Sequence, residues 1–513
     1  MYPEENMNLP EEQKAPEYNY SKVDTIFAWL SLIFGFCFCK SLPVSEHPFG
    51  GFLLILALFI TGFVVLRIKK VKPATNCILA AVSALVIGAA LLLTNTVFLV
   101  NLSFAYALAT FCYFICAALG NRLEDGFSDY VYVDYFKALI LLPFSSLVSI
   151  FKALSNKTTK KGSQILINTI IGIGIAIIPT VIVFLFLSYD KGFTKILNDL
   201  FSFNTDNFSN TVLCLIWTLP LGMYGFGLYA ASLQKKMQEH VSVEICKEKL
   251  QQAQILPHVT AAVAVMPILF LYVVFFISQW QYFVSGFTGV LPESFSYAEY
   301  ARQGFFELCA VSVINLLLIV AIAFAIKRKK AGNPVVLKIV TSVFCLCTLV
   351  LISTAVAKLV MYIEYYGLTP KRIYAMWLMI LIGVAFVIIA LGQFVSKIKV
   401  VAICFTASVI MFAGLALCNV NAICAQYNVN RYLDGSLETL DMSAMDELGD
   451  SAIPSLVKVV ESMDDNTDSR LKKLIVDNLK SRANAFKLED FSIFQVSVPY
   501  LQAKAALADY IEE

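Results

Sequence analysis

Long apolar runs of about 17 to 25 residues recur between residues 24 and 423, parted by short polar stretches. Hydrocarbon offers no water, so each run must pair its own backbone N–H and C=O groups, and within a single segment only a helix does that. The pattern predicts about eleven spans, each near the length needed to cross a bilayer. Their cores fall over 24–39, 51–66, 76–94, 97–119, 164–188, 209–232, 259–279, 305–326, 335–362, 373–395 and 400–423. One further apolar run, Ala138 to Phe151, is interrupted by Pro143 and flanked by Lys137 and Lys152. It is short for a crossing and predicts an interfacial or re-entrant segment over about residues 135–155.

From about Tyr427 the pattern changes. Asp441, Asp446, Glu447, Asp464 and Asp465 are set among apolar residues at helical spacing, and Leu471, Leu474, Ile475 and Leu479 are expected on one helical face. Residues 427–513 therefore read as a small helical domain of about four helices, too short to hold a large core of its own. Residues 1–23 are acidic and contain proline, without a basic start or a cleavage site, and predict a disordered cytoplasmic head in place of a signal peptide. The fold class is all-α: a polytopic transmembrane bundle over 24–426 with a small C-terminal helical domain that lies outside the cytoplasm.

Composition agrees, with 58% hydrophobic and 15% charged residues and a mean hydropathy of +0.73, far from the values of a soluble domain. The net charge of +2 gives no reason to expect nucleic acid. Where the cations stand is more telling. Arg67 to Lys70, Lys152 to Lys161, Lys235 with Lys236, Lys327 to Lys330, and Lys397 with Lys399 all fall in alternate loops. With the head in the cytoplasm every one of these loops is cytoplasmic, as the positive-inside rule requires, and an odd number of spans exports the C-terminus.

Chemistry is sparse. Thirteen cysteines lie mostly inside apolar runs, where a thiol acts as a small hydrophobe, and the three histidines stand apart from them, so no metal site is expected. Gly172-Ile-Gly174 lacks the strand and acidic partner of a dinucleotide site, and Gly222, Gly225 and Gly227 after Pro220 read as a packing seam or kink. No cofactor and no catalytic residue is assigned.

Two polar sets remain. In the first, Glu299, Arg302, Gln303 and Glu307 carry charge into the start of a span, and Asn315 follows two turns on. Arg302 is placed to pair with Glu299, and Glu307 is expected to face protein or water because a carboxylate at the centre of a span costs about 2.5–3.5 kcal/mol. The second runs from Lys358 through Tyr362 and Glu364 to Arg372. Lys358 either snorkels outward or meets Glu307 or Glu364 across the bundle. Arg302, Glu307, Asn315, Lys358, Tyr362, Glu364 and Arg372 together form the candidate polar cluster. The competing reading is a set of structural ion pairs and interface anchors.

Four stretches carry a resemblance. Ser188-Tyr-Asp190-Lys-Gly-Phe193, Tyr300-Ala-Arg302-Gln-Gly304-Phe305, Tyr366-Gly367-Leu368-Thr369 with Arg372, and Asn428-Val-Asn-Arg431-Tyr432 followed by Leu448-Gly-Asp450 and Ala452-Ile-Pro454 are similar to a bacterial membrane-protein family. That family is catalogued as domain of unknown function 4173, with 4153 as its relative. The resemblance implies a polytopic fold in a bacterial plasma membrane, and implies no activity.

The functional expectation is an envelope protein without enzymatic activity that binds another protein through its tail and exoplasmic face. The alternative is an ion-coupled transporter using Glu307 and Lys358 inside the membrane. A membrane-embedded transferase ranks third, since no nucleophile and base pair is visible.

Overall fold

In the computed structural model the described residues are 18–155, 205–278, 305–326, 334–463, 469–488 and 492–512, apart from positions 127, 239 and 396, together with the isolated positions 183, 186, 187 and 193. The expected span over 164–188, the Gly172 to Gly174 pair, the Tyr300 to Gly304 stretch and the Lys327 to Lys330 run lie outside them, but for the isolated positions just named.

Helices account for nearly all regular structure. They are α1 (Lys22–Lys40), α2 (Pro48–Ile68), α3 (Thr75–Gly88), α4 (Ala90–Leu93), α5 (Val97–Ala118) and α6 (Val131–Phe136). A π turn, Lys137–Leu141, leads into α7 (Leu142–Ser145), then come α8 (Ser149–Ser155), α9 (Thr205–Leu233), α10 (Val243–Ala253), α11 (His258–Ser278) and α12 (Phe305–Ala325). Next are α13 (Pro334–Tyr366), α14 (Pro370–Phe394), α15 (Val400–Leu417) and α16 (Val420–Leu433). The tail adds α17 (Met442–Asp446), a 3-10 turn at Gly449–Ala452, α18 (Ile453–Ser462), α19 (Ser469–Leu488), a second 3-10 turn at Ile493–Gln495, α20 (Val498–Ala506) and α21 (Ala508–Glu512).

Among the described residues ten segments are long and apolar enough to cross a membrane, matching ten of the eleven expected cores. Apolar side chains cover them all round: Phe270, Leu271 and Ile277 of α11 are exposed, a surface that only lipid covers without cost. The run after α6, expected as an interfacial or re-entrant segment, is bent by 57° between Ser145 and Ser149, as a broken span or a re-entrant loop is.

One difference concerns the last span. Its apolar run was expected to continue to residue 423, yet α15 stops at Leu417 and α16 begins anew at Val420. Asn419 breaks the run: its side chain accepts a hydrogen bond from the Ala422 N–H at 3.1 Å and so caps a new helix.

The chain divides into two compact units, one of Met1–Lys40 with Leu141–Lys236, the other of Ser41–Ile140 with Met237–Glu513. In the first, α1 lies along α9, and two glycines let the backbones approach. A Cβ on Gly222 would stand 2.6 Å from the Leu32 side chain and 3.1 Å from its Cα, and one on Gly35 would stand 2.8 Å from the Thr218 carbonyl oxygen. The expected seam is thus at Gly222 and also at Gly227, which meets the Pro143 carbonyl, whereas Gly225 is uncrowded. At the head of α1, Asp24 accepts from the Ser21 N–H at 2.7 Å and from the Tyr229 hydroxyl at 2.7 Å, which satisfies a fully buried carboxylate.

Two apolar cores stand out among the described residues of the second unit, beside the packing of Phe59 of α2 on Phe114 of α5. One joins α11, α12, α13 and α14 around Phe344, Leu351 and Phe386. The other runs without interruption from Ile87 and Leu99 of α3 and α5 through Phe412 of α15 to Leu456, Ile475 and Leu479 of the tail. In α19 the buried face is Ile475, Leu479, Ala483 and Phe486. Leu474, expected on that face, is 52% exposed, because a single residue step turns it about 100° away from Ile475.

The seam carries a prediction. Gly222→Ala is expected to lower the thermal unfolding midpoint in detergent by the equivalent of about 1–3 kcal/mol, since the Leu32 backbone cannot yield. Gly225→Ala should leave it unchanged, and equal effects would contradict the packing.

Candidate functional site

The seven candidate residues do not form one site. Arg302 lies outside the described residues, as does the pairing expected of it with Glu299. Glu307 is exposed in the first turn of α12 and stands within electrostatic range of Lys358, which is buried on α13.

Asn315 is buried halfway along α12 and ties three spans together. Its Oδ1 accepts from the Tyr272 hydroxyl of α11 at 2.7 Å, and its Nδ2 donates to the Thr348 hydroxyl of α13 at 2.9 Å. Thr348 in turn donates to the Phe344 carbonyl at 2.9 Å. An amide at this depth is costly unless paired, and this one is paired at both ends, as a structural tie between helices is.

Tyr362, Glu364 and Arg372 lie elsewhere, at the turn from α13 to α14. Gly367 there has φ of +80°, a left-handed conformation that ends α13. Arg372 donates to the carbonyls of Tyr366 and Gly367, which the helix end leaves unpaired, and its guanidinium lies 4.3 Å from the centre of the Tyr362 ring. Glu364 takes part through its backbone: its carbonyl accepts from Arg431 Nη1 at 2.6 Å, and its carboxylate is exposed.

What this turn does becomes clear from Asn428 on α16. The Leu368 N–H donates to Asn428 Oδ1 at 2.7 Å, and Asn428 Nδ2 donates to the Leu368 carbonyl at 2.8 Å. One amide side chain thus replaces a strand partner for a single residue. A Cβ on Gly367 would stand 2.6 Å from that Oδ1, so glycine is required here twice over, by its φ and by the approach of Asn428.

A second knot ties the tail to the turn between α4 and α5. Asn95 Nδ2 donates to the Leu448 carbonyl at 3.2 Å, and Asn421 Nδ2 donates to the same carbonyl at 3.1 Å and to Asn95 Oδ1 at 3.1 Å. Asn421 Oδ1 accepts from the Thr96 hydroxyl at 3.0 Å, and the Ser451 hydroxyl stands 2.8 Å from Asn95 Oδ1 and 3.1 Å from Asn419 Oδ1. Gly449 holds φ of +59° so that the 3-10 turn can present the Leu448 carbonyl. The first knot joins the α13–α14 turn to α16, and the second joins the α4–α5 turn and α16 to the tail. Just beyond, Asp434 is held below the usual carboxylate range by hydrogen bonds from the Ser436 side chain and backbone.

None of Asn95, Asn421, Asn428 or Ser451 was among the candidates. A signal existed for two of them: Asn421 and Asn428 are seven residues apart, hence on one face of α16, with Cys424 and Ala425 buried between. Asn95 offered none, being one polar residue in a short turn whose partners lie more than 300 positions away.

At the other end of α15 a different polar group gathers around the segment that joins α5 to α6. Asp134 is buried and accepts from the Leu123 N–H at 3.0 Å, Asp129 accepts from the Ala402 N–H at 3.1 Å, and Glu124 pairs with Lys399 at 3.7 Å. Lys137, at the start of the π turn, is buried within electrostatic range of Asp134, as is Arg122. Among the described residues no three His, Cys, Asp or Glu side chains are grouped to hold a metal.

A model for a domain of unknown function (DUF4153) matches residues 77–459. The chain belongs to this family. The match runs from α3 into α18, so both asparagine knots lie inside the family's extent. No curated protein matches the chain, and no solved structure does. The family description attaches no activity, and the ten apolar helices support a multi-pass integral membrane protein.

The knots generate a prediction. Asn428→Leu strands the N–H and C=O of Leu368 and is expected to destabilise the folded protein by about 2 kcal/mol or more, read as a lower melting temperature in detergent. Gly367→Ala should act alike. Asn430→Ala, which removes only an exposed contact to Lys458, should change little.

Proposed function

We propose that this protein is a non-enzymatic platform of the bacterial plasma membrane, which holds a helical tail outside the cell for another envelope protein to bind. The observation that carries this reading is the double asparagine tie. A tail linked only by its chain would tumble, whereas this one is fastened to two inter-helix turns and shares an apolar core with α3, α5 and α15. Rigid mounting lowers the ordering cost of binding a partner, which is what a docking surface requires.

Orientation follows from charge. Lys399 and the Glu124 to Asp129 segment mark one end of α15, and the tail lies past the other. Arg67, Lys69 and Lys70 follow α2, whose chain direction brings them to the same end as Lys399. A basic end faces the cytoplasm, which puts the tail outside.

The transporter reading draws on Lys358, a cation buried within a span near Glu307. The platform reading gives that pair a structural task.

The test is a pair of fusions and a pair of substitutions in native membranes. A phosphatase that works only outside the cytoplasm is expected to be active when fused after Glu513 and silent when inserted after Lys399. The reverse pattern would overturn the reading. Lys358→Met and Glu307→Gln should leave proton and sodium flux into proteoliposomes at the level of the parent protein, and loss of a flux that the parent supports would favour the transporter.

A further inference from the structure

The seam between α1 and α9 keeps one antiparallel register. Asp24 meets the Tyr229 hydroxyl at 2.7 Å, the Phe27 ring lies 6.4 Å from the Phe226 ring, and Gly35 faces the Thr218 carbonyl. Through these three contacts every step forward along α1 is matched by an equal step back along α9. One further step of four residues, which stays on the same helical face, sets Cys39 opposite Cys214. The two thiols meet there, within hydrogen-bonding reach of one another. Just past them Lys40 Nζ donates to Thr211 Oγ1 at 2.9 Å, at an exposed position that closes this end of the seam.

Three conditions for a disulfide coincide at this pair. The first is approach. An S–S bond needs Cα atoms about 4.4–6.8 Å apart, a separation that packed helices reach where small residues let their backbones close. Gly35, one turn before Cys39, does this, since a Cβ on it would stand 2.8 Å from the Thr218 carbonyl oxygen. The second is access: neither thiol is fully buried, and Lys40 is the last residue of α1, so the pair sits at a span end where an aqueous reagent arrives. Compartment is the third. The seven residues between Lys40 and Pro48 reach at most about 25 Å, less than the hydrocarbon thickness, so α1 ends on the side where α2 begins. That side is opposite Lys69 and Lys70, hence outside the cytoplasm, where disulfides persist. Cys37 is the contrast: it is exposed, and two residues back along α1 it points about 200° away from Cys39.

We propose that Cys39 and Cys214 form a disulfide that fastens α1 to α9 from outside the cytoplasm. The chemistry is exchange with a disulfide donor. The Cys39 thiolate attacks one donor sulfur, the donor's S–S bond breaks, and its other sulfur leaves as a thiolate. The Cys214 thiolate then attacks the Cys39 sulfur, which forms the new S–S bond and expels the first donor sulfur as a second thiolate. Both protons lost by the cysteines end on the donor, which is reduced as the pair is oxidised. The platform reading enters only through the orientation.

The experiment uses the full chain in the bacterial plasma membrane. Free thiols are blocked with N-ethylmaleimide before the cells are broken, and the protein is digested without reductant for mass spectrometry. The peptides that hold Cys39 and Cys214 are expected joined, lighter by two hydrogens than the separate pair. Cys39→Ser and Cys214→Ser should each abolish the joint, and Cys37→Ser should keep it. Reduction should lower the melting temperature of the parent protein in detergent by about 5 °C and leave that of Cys214→Ser unchanged. Maleimide on both Cys39 and Cys214, or a joint that uses Cys37 in place of Cys39, would overturn the proposal. The joined peptides together with topology fusions that place Glu513 in the cytoplasm would sink the platform reading and leave the disulfide. Fusions as expected with maleimide on both thiols would do the opposite.

Discussion

A peptide group in hydrocarbon has no water to pair with and must find its partner within the protein, and that constraint shapes this protein at every level. It turns each long apolar run into a helix that satisfies itself, and it drives every backbone group that cannot be so satisfied toward the ends of the spans. There the helix ends and turns need donors and acceptors. This chain supplies them with asparagine, whose amide carries both functions in one short side chain. Asn428 pairs with both backbone groups of Leu368, and Asn95 with Asn421 captures the Leu448 carbonyl from two directions. The same chemistry appears in mid-membrane at Asn315, where an amide links the Tyr272 and Thr348 hydroxyls.

These ties explain why the tail is more than an appendage. It supplies most of the buried residues of the cluster it shares with the span ends, yet a domain of that size holds only a modest core. Because the apolar cluster is continuous from Ile87 to Leu479, the tail draws on the membrane helices for burial, and the asparagine knots fix the register in which it does so. Arg372 belongs to the same construction. Its guanidinium closes the end of α13 and holds the turn that Asn428 reads, so the Tyr-Gly-Leu-Thr stretch with its arginine is accounted for by geometry, without any ligand.

How much of this could be read in the chain follows from the range of each interaction. Ten of the spans were legible because hydropathy is a local property. The end of the last span was misplaced because Asn419 is one residue in an apolar run, and only its hydrogen bond to Ala422 turns it into a cap. Polar residues near span ends drew attention to Tyr362, Glu364 and Arg372, and these lie at the α13–α14 turn, whose backbone and packing they hold together. Asn95 could not be seen, since its meaning depends on Leu448 and Asn421 brought to it by the fold. Leu474 was assigned inward by its neighbours and proved to be outward, turned away from the buried face by its single-residue step from Ile475.

The central claim is that the tail and the membrane helices form one cooperative body through these knots. Hydrogen exchange of the full chain in nanodiscs tests it most directly, by following the amides of α18 and α19 beside those of α15 and α16. The account predicts that the buried amides of all four helices exchange slowly and open together, and that Asn421→Ala speeds all of them. Tail amides that exchange orders of magnitude faster than those of α15, and that ignore the substitution, would contradict it.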